Sequence, residues 1–202
     1  MHALIVSAHS DPNSYTRTLA SKIVDGIVTG GEHSFEYVDL IEEKFDPRFS
    51  QADVDYFNGR AELPADVVAE QQRLKRADAL IIVYPVYWWS LPAQIKGWID
   101  RVFTQGWAYD YTGDKIIKKL GHLQVHLLAL GAASERTYLR RGYFSSMRNQ
   151  IDEGIFGYCG APVITSELLL PSDDHFPDAH FTLAYQLGKQ LFQPTNRQES
   201  DI

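Results

Sequence analysis

Residues Ala79–Phe103, ALIIVYPVYWWSLPAQIKGWIDRVF, decide how the rest of the chain is read. They begin with an apolar, β-branched run, Leu80-Ile81-Ile82-Val83, between Asp78 and Pro85. That is the form of a strand buried on both faces of a parallel sheet. Pro85-Val86-Tyr87-Trp88-Trp89 follows with no polar spacer. A helix is expected from about Pro92, with Ile95, Trp98, Ile99, Val102 and Phe103 on one face. A central strand thus ends and delivers three consecutive aromatic rings to its carboxyl end, where open α/β sheets bind ligands. Aromatic rings there suit a flat, conjugated ligand. Core packing or a subunit contact is the alternative. Successive side chains diverge, so three in a row cannot all enter one core. At least one should face a pocket or a partner chain.

The surrounding composition narrows the setting. The chain has 202 residues, 45% hydrophobic and 22% charged, which suits one globular domain with a full core. We read residues 1–202 as a single domain, with about 193–202 as a flexible tail. No apolar run approaches the roughly 20 residues that span a bilayer, so no membrane insertion is expected. The start, Ala3-Leu4-Ile5-Val6 followed by polar His9-Ser10-Asp11, lacks the basic and long apolar parts of a signal peptide. A net charge of −7 argues against nucleic acid as a partner. The single Cys159 excludes an internal disulfide and points to a reducing, cytoplasmic location, as a buried structural thiol.

Strand and helix patterns alternate along the whole chain. Strands are expected at about Ala3–Ser7, Ser34–Leu40, Ala79–Tyr84, Gln124–Leu130 and Pro162–Leu168. Helices are expected at about Ser14–Thr29, Ala65–Arg76, Pro92–Thr104, Phe144–Gly154 and Asp178–Phe192. Ile41–Pro64 and Gln105–Lys119 read as loops. Five strands alternating with five helices give an α/β fold, a parallel sheet with helices on both faces. Five strands in this length favour the flavodoxin-like order 2-1-3-4-5. The switch point then lies between strands one and three, so the loops Ala8–Ser14 and Pro85–Leu91 meet there.

The first of these loops runs His9-Ser10-Asp11-Pro12-Asn13-Ser14-Tyr15-Thr16 into helix one. Asn13 or Ser14 is a natural N-cap, and the helix start offers unpaired N–H groups and a partial positive charge suited to phosphate. Ser14 and Thr16 add hydroxyls, and His9 and Arg17 can add positive charge. Neither a GxGxxG nor a GxxxxGK[ST] pattern follows strand one, which lowers the dinucleotide-fold and P-loop readings. After strand four, Gly131-Ala132-Ala133-Ser134 would let a ligand edge reach the backbone amides. Tyr138 and an arginine, Arg140 or Arg141, could meet a developing negative charge. Trp107, Tyr109 and Tyr111 sit on an extension that either packs back or touches a second subunit. His175 and His180 with Asp173, Asp174 and Asp178 read as a solvated loop rather than a metal centre, the two histidines lying off one helical face.

These residues together resemble the flavodoxin-like NAD(P)H:quinone oxidoreductases, the group of mammalian quinone reductase and its shorter bacterial relatives. The matching elements run in order: Ala8-His9-Ser10, Asn13-Ser14-Tyr15, Val67–Gln71, Pro85 with Trp88, Leu91-Pro92-Ala93, Ile95–Trp98, Arg101-Val102-Phe103, Ala108-Tyr109 with Tyr111, and Tyr158-Cys159-Gly160. The resemblance implies a noncovalent flavin, FAD or, nearly as well, FMN. Its phosphate would sit on His9, Asn13, Ser14, Tyr15 and Thr16. Its ring system would rest against Pro85, Val86, Tyr87, Trp88 and Trp89. Its pyrimidine edge would meet Gly131, Ala132, Ala133, Ser134 and Tyr138.

The same resemblance implies NAD(P)H as hydride donor, a quinone, azo or nitro compound as acceptor, and ping-pong kinetics. It makes Tyr109 and Tyr111 reach the other subunit's site, so the active form is a homodimer. Two departures stand out. The family's Thr-Gly-Gly after strand four is Gly131-Ala132-Ala133 here, and its histidine beyond the tyrosine has no clear match, leaving Arg141 or Arg140 as charge partner of Tyr138. Ser50–Leu63, where the mammalian enzymes hold an adenine, is shorter. The rival readings are a regulatory flavoprotein subunit of a membrane transport system and a flavodoxin-type electron carrier. The carrier's Thr-x-Thr-Gly loop is replaced by Ser7-Ala8-His9-Ser10.

Overall fold

β3 (Ala79–Pro85) lies in the middle of a five-stranded parallel sheet with β1 (His2–Ser7), β2 (Ser34–Asp39), β6 (Gln124–Leu130) and β7 (Val163–Leu169). The order is β2-β1-β3-β6-β7, the expected 2-1-3-4-5 of a flavodoxin-like fold. The computed structural model describes residues 1–193, so the tail expected over about 193–202 lies almost wholly outside the described residues. β3 is buried because its alternate side chains enter two different cores. Leu80, Ile82 and Tyr84 face one with Val67, Ile95, Trp98 and Phe156. Ala79, Ile81 and Val83 face the other, with Leu19, Ile23 and Ile27.

α1 (Tyr15–Gly30) and α7 (Asp178–Gln190) cover that second face. They cross closely because Gly26 and Gly188 carry no side chain. A Cβ on Gly26 would run into the Tyr185 carbonyl, and one on Gly188 into the Ile23 carbonyl. α3 (Ala65–Arg76) and α4 (Ala93–Val102) cover the first face.

Three expectations about local structure are corrected. The expected loop Ile41–Pro64 contains α2 (Gln51–Phe57), started by a capping box in which Ser50 and Asp53 each bond the other's backbone. The expected loop Gln105–Lys119 contains an antiparallel hairpin, β4 (Tyr109–Tyr111) with β5 (Ile116–Lys118). The region after β6 folds into α5 (Glu135–Arg141), ended by Gly142 at φ 69°, then α6 (Tyr143–Arg148). α6 runs on as a π-helical segment, Asn149–Gly157, where a regular α-helix over Phe144–Gly154 was expected. Each missed element is short, and periodicity is weakest over one or two turns.

β6 also carries a buried titratable group. His126 is 3% exposed, shares a hydrogen bond with Thr165 Oγ1 at 3.0 Å, and has no partner for Nε2 among the described residues. Burial lowers its pKa to about 4. The neutral imidazole therefore favours the folded state above the unfolded pKa of about 6.5, and that advantage is lost as pH falls toward 4. By pH 5 the loss is about 2 kcal/mol. His126→Gln should flatten this dependence when denaturant unfolding is compared at pH 7 and pH 5. Equal slopes in both proteins would assign the acid loss to other groups.

Candidate functional site

The carboxyl ends of β1, β3 and β6 lie side by side, since Ser7 pairs with Val83 and Pro85 with Leu130. Two further backbone bonds tie the loops beyond them: Val86 N–H to the Leu130 carbonyl at 2.8 Å and Gly131 N–H to the Leu169 carbonyl at 3.0 Å. The loops 8–14, 86–91 and 131–134 thus leave one rim of the sheet at the switch point. This is the convergence expected from the sequence.

The first loop is wound tightly onto the start of α1. Asp11 N–H donates to His9 Nδ1 at 3.1 Å, Asn13 N–H to Asp11 Oδ1 at 2.9 Å, and Ser14 N–H to the Asp11 carbonyl at 3.1 Å. Ser14 is the N-cap: its Oγ accepts from Arg17 N–H and its carbonyl from Thr18 N–H. The amides of Tyr15 and Thr16 are left without a partner among the described residues. Because Oγ accepts, the Ser14 hydroxyl proton is free to donate. Because Nδ1 of His9 accepts, its ring proton lies on Nε2. The loop therefore offers at least four donors to an anion. Arg17 is not among them. Its guanidinium is 2.9 Å from Asp39 Oδ2 and 3.3 Å from Glu42 Oε2, so the positive charge expected from it is already paired.

The second loop is a two-residue turn. Tyr87 and Ser90 exchange backbone hydrogen bonds, each 3.1 Å, around Trp88 and Trp89. Both tryptophans have positive φ, 52° and 61°, a conformation that costs bulky residues roughly 1–3 kcal/mol each. The turn separates the three rings as expected. Tyr87 is exposed and Trp88 is 93% exposed, whereas Trp89 is half-buried. Trp89 stacks on Tyr143 with centroids 3.8 Å apart and meets Tyr138 edge-on at 5.2 Å. Tyr143 was missed in the sequence, since nothing local ties it to residue 89.

Tyr138 is buried beneath this turn, and burial raises its pKa. Its hydroxyl lies over Gly131: a Cβ at 131 would come 2.5 Å from that oxygen and 2.7 Å from Leu170 Cδ2. Gly131 is thus required where the sequence placed a ligand edge, while Ala132 and Ser134 are exposed and Ala133 half-buried. Arg141 is exposed in the last turn of α5 and makes no ion pair among the described residues.

The hairpin presents Tyr111, 56% exposed, and half-buried Tyr109, which packs edge-on against Tyr158 at 5.2 Å. Trp107 instead packs back on Phe103 at 6.0 Å. Between α2, α4 and the hairpin lies a cavity of about 450 Å³ with Phe49, Tyr56, Phe57 and Tyr109 in its wall.

Among the described residues no group of three His, Cys, Asp or Glu side chains comes together to hold a metal ion. The expected solvated loop at 173–180 is corrected in one respect: His180 is buried, bonded to Asp173 and Tyr15. Cys159 is buried and its thiol is pushed up to about 11, which keeps it protonated at neutral pH. No helix among the described residues is long and apolar enough to cross a membrane.

A family model described as flavodoxin-like fold matches residues 1–185. NAD(P)H dehydrogenase (quinone) 1 of Cavia porcellus is 30% identical over 208 residues, covering 94% of this chain and 75% of that protein. Among solved structures, an NAD(P)H:quinone oxidoreductase from Methanothermobacter marburgensis superposes with a TM-score of 0.83 at 28% identity, covering 95% of this chain and 98% of that one. An FMN-dependent NADH-azoreductase from Bacillus anthracis, in complex with FMN, shares the fold at a TM-score of 0.71 and 14% identity, covering 95% of this chain and 97% of that one. With the model spanning 1–185, this chain belongs to the flavodoxin-like fold family.

Proposed function

We propose that this protein is a flavin-dependent NAD(P)H:acceptor oxidoreductase that reduces quinones, and azo or nitro compounds of similar shape. One observation carries the reading. At the switch point, unpaired amides and hydroxyl and imidazole donors at a helix start lie beside a strained aromatic turn. The donors fit a phosphate and the turn fits a flat ring. The similarity to quinone reductases in sequence and in structure supports the same reading.

A flavin bound there would supply hydride transfer between NAD(P)H and the acceptor, with ping-pong kinetics. The protein's part is binding and charge placement. His9, Asn13, Ser14, Tyr15 and Thr16 would hold the phosphate. Pro85, Val86, Tyr87, Trp88 and Trp89 would wall the ring. Ala132, Ala133 and Ser134 would turn backbone toward the pyrimidine edge, where a reduced flavin carries negative charge. Gly131, its N–H already bonded to Leu169, would leave room for the Tyr138 hydroxyl instead of meeting the ligand edge expected of it. The Tyr138 hydroxyl would donate to that edge, with Arg141, three residues further along α5, as the cation.

Three finer points belong to the same proposal. The flavin is FAD, supported by the aromatic cavity beside Ser50–Leu63, where the resemblance places an adenine. The active form is a homodimer, supported by exposed Tyr111 on the hairpin and exposed Tyr158, which packs edge-on against Tyr109 of the same strand. The location is cytoplasmic, supported by the lone buried thiol.

Purified protein should show a flavin absorption spectrum, and the flavin released on denaturation should run as FAD in chromatography. A protein that stays colourless after incubation with FAD and FMN would sink the proposal. Sedimentation should give a dimer, and a fully active monomer would remove the role of Tyr109 and Tyr111.

Tyr138→Phe keeps the ring that packs on Trp89 and removes one donor. It should slow flavin reduction in stopped flow by about 10- to 150-fold, the equivalent of roughly 1.5–3 kcal/mol, with flavin affinity little changed. A wild-type rate in Tyr138→Phe, with a slow Arg141→Ala, would move the role to the arginine.

A further inference from the structure

Tyr15 has a side chain that the phosphate reading does not use. Its backbone amide is one of the two left open at the start of α1, but its phenol runs the other way, toward α7. The hydroxyl lies 3.0 Å from His180 Nδ1, and His180 Nε2 lies 2.8 Å from Asp173 Oδ2. The same Asp173 oxygen accepts the Leu170 N–H at 2.8 Å, which fixes the carboxylate on the backbone just beyond β7. His180 is 3% exposed, and the Tyr15 ring packs between Phe176 at 5.6 Å and Phe181 at 5.4 Å.

With the imidazole in its neutral form, the ends of this chain set the direction of donation. Burial first, then the charges of Asp173 and Asp178, raise the Tyr15 phenol to about 12, so it keeps its proton. A carboxylate accepts only. Nε2–H therefore donates to Asp173, and Nδ1 accepts from the Tyr15 hydroxyl. The two side-chain hydrogen bonds then run one way, from the α1 start to the β7–α7 loop, and the Leu170 N–H meets them at Asp173.

We propose that His180 and Asp173 are positioning residues that hold the first turn of α1, through the Tyr15 side chain, in the orientation that grips the flavin phosphate. The inference rests on the proposed flavin site. Helix ends fray unless they are tied, and free amides bind an anion well only when their directions are fixed beforehand. Ser14 caps the turn from the loop side, and the Tyr15–His180–Asp173 chain ties it from the opposite side.

The test uses flavin-free protein titrated with FMN, FAD and riboflavin, followed by flavin fluorescence. Riboflavin has the ring but no phosphate. Tyr15→Phe and His180→Ala should each weaken FMN and FAD roughly 3- to 10-fold, the range of one lost hydrogen bond, and leave riboflavin unchanged. The double variant should be no worse than the worse single, since both cut the same chain. Asp173→Asn keeps an oxygen for both donors and should bind FMN as wild type, whereas Asp173→Ala should not. Equal weakening of FMN and riboflavin would make the chain a structural strut and overturn the inference. So would additive singles or unchanged FMN affinity. Wild-type protein that binds no flavin at all would instead overturn the proposed function, and this inference with it.

Discussion

Replacing His9 and Ser14 together by alanine should weaken flavin binding by about 2–4 kcal/mol, roughly 30- to 1,000-fold. The size follows from the donor positions. The Ser14 hydroxyl accepts from Arg17 N–H and so has its proton to give, and the His9 ring accepts at Nδ1 and so carries its proton on Nε2. Two charge-assisted bonds to a phosphate would be lost at once. Ser14→Ala also removes a helix cap, which costs about 1 kcal/mol of stability by itself. Isothermal titration of the flavin-free double variant, with denaturant unfolding run alongside, separates the two effects. Unchanged affinity with lowered stability would return the loop to a plain helix cap.

Arg101→Ala should lower folding stability by about 3–5 kcal/mol, the usual result of removing one partner from a buried ion pair. Arg101 is 5% exposed on α4. It donates from Nε to both oxygens of Asp53, at 3.0 and 3.2 Å, and from the guanidinium end to Asp66 and to the Asp46 carbonyl at 2.8 Å. Its face covers the Phe45 ring at 5.2 Å. One side chain thus pins α2, the start of α3 and the segment between β2 and α2 onto α4. Without it, Asp53 stays buried with only Ser50 to hydrogen-bond, and its lowered pKa should climb back toward the usual carboxylate range. Equilibrium unfolding in urea checks the number. A loss under about 1 kcal/mol would show that the segment relaxes and lets water reach Asp53.

Much of the molecule was legible along the chain. Leu80–Val83 reads as a buried central strand because both its faces are covered, so no polar residue interrupts it. The strand order follows from counting alternating elements, and the meeting of loops 8–14 and 85–91 follows from that order. Ser14 as cap and three diverging rings at 87–89 are local matters, settled by backbone geometry within a few residues. Short elements were harder. The capping box at Ser50 is a readable signal for α2, but seven residues carry too little periodicity to outweigh a loop.

What only the tertiary structure decided are the partners. Arg17 looked like a phosphate ligand until Asp39 and Glu42, from the end of the next strand and the turn beyond it, were seen to hold its charge. Trp89 met Tyr143 and Tyr138, Arg101 met Asp53 and Asp66, and Tyr15 met His180 from 165 residues away. Hydrophobic period records only whether a position is buried, because burial averages over every neighbour. A hydrogen bond or ion pair depends on one particular neighbour at about 3 Å, and that neighbour is chosen by how the helices pack across the sheet.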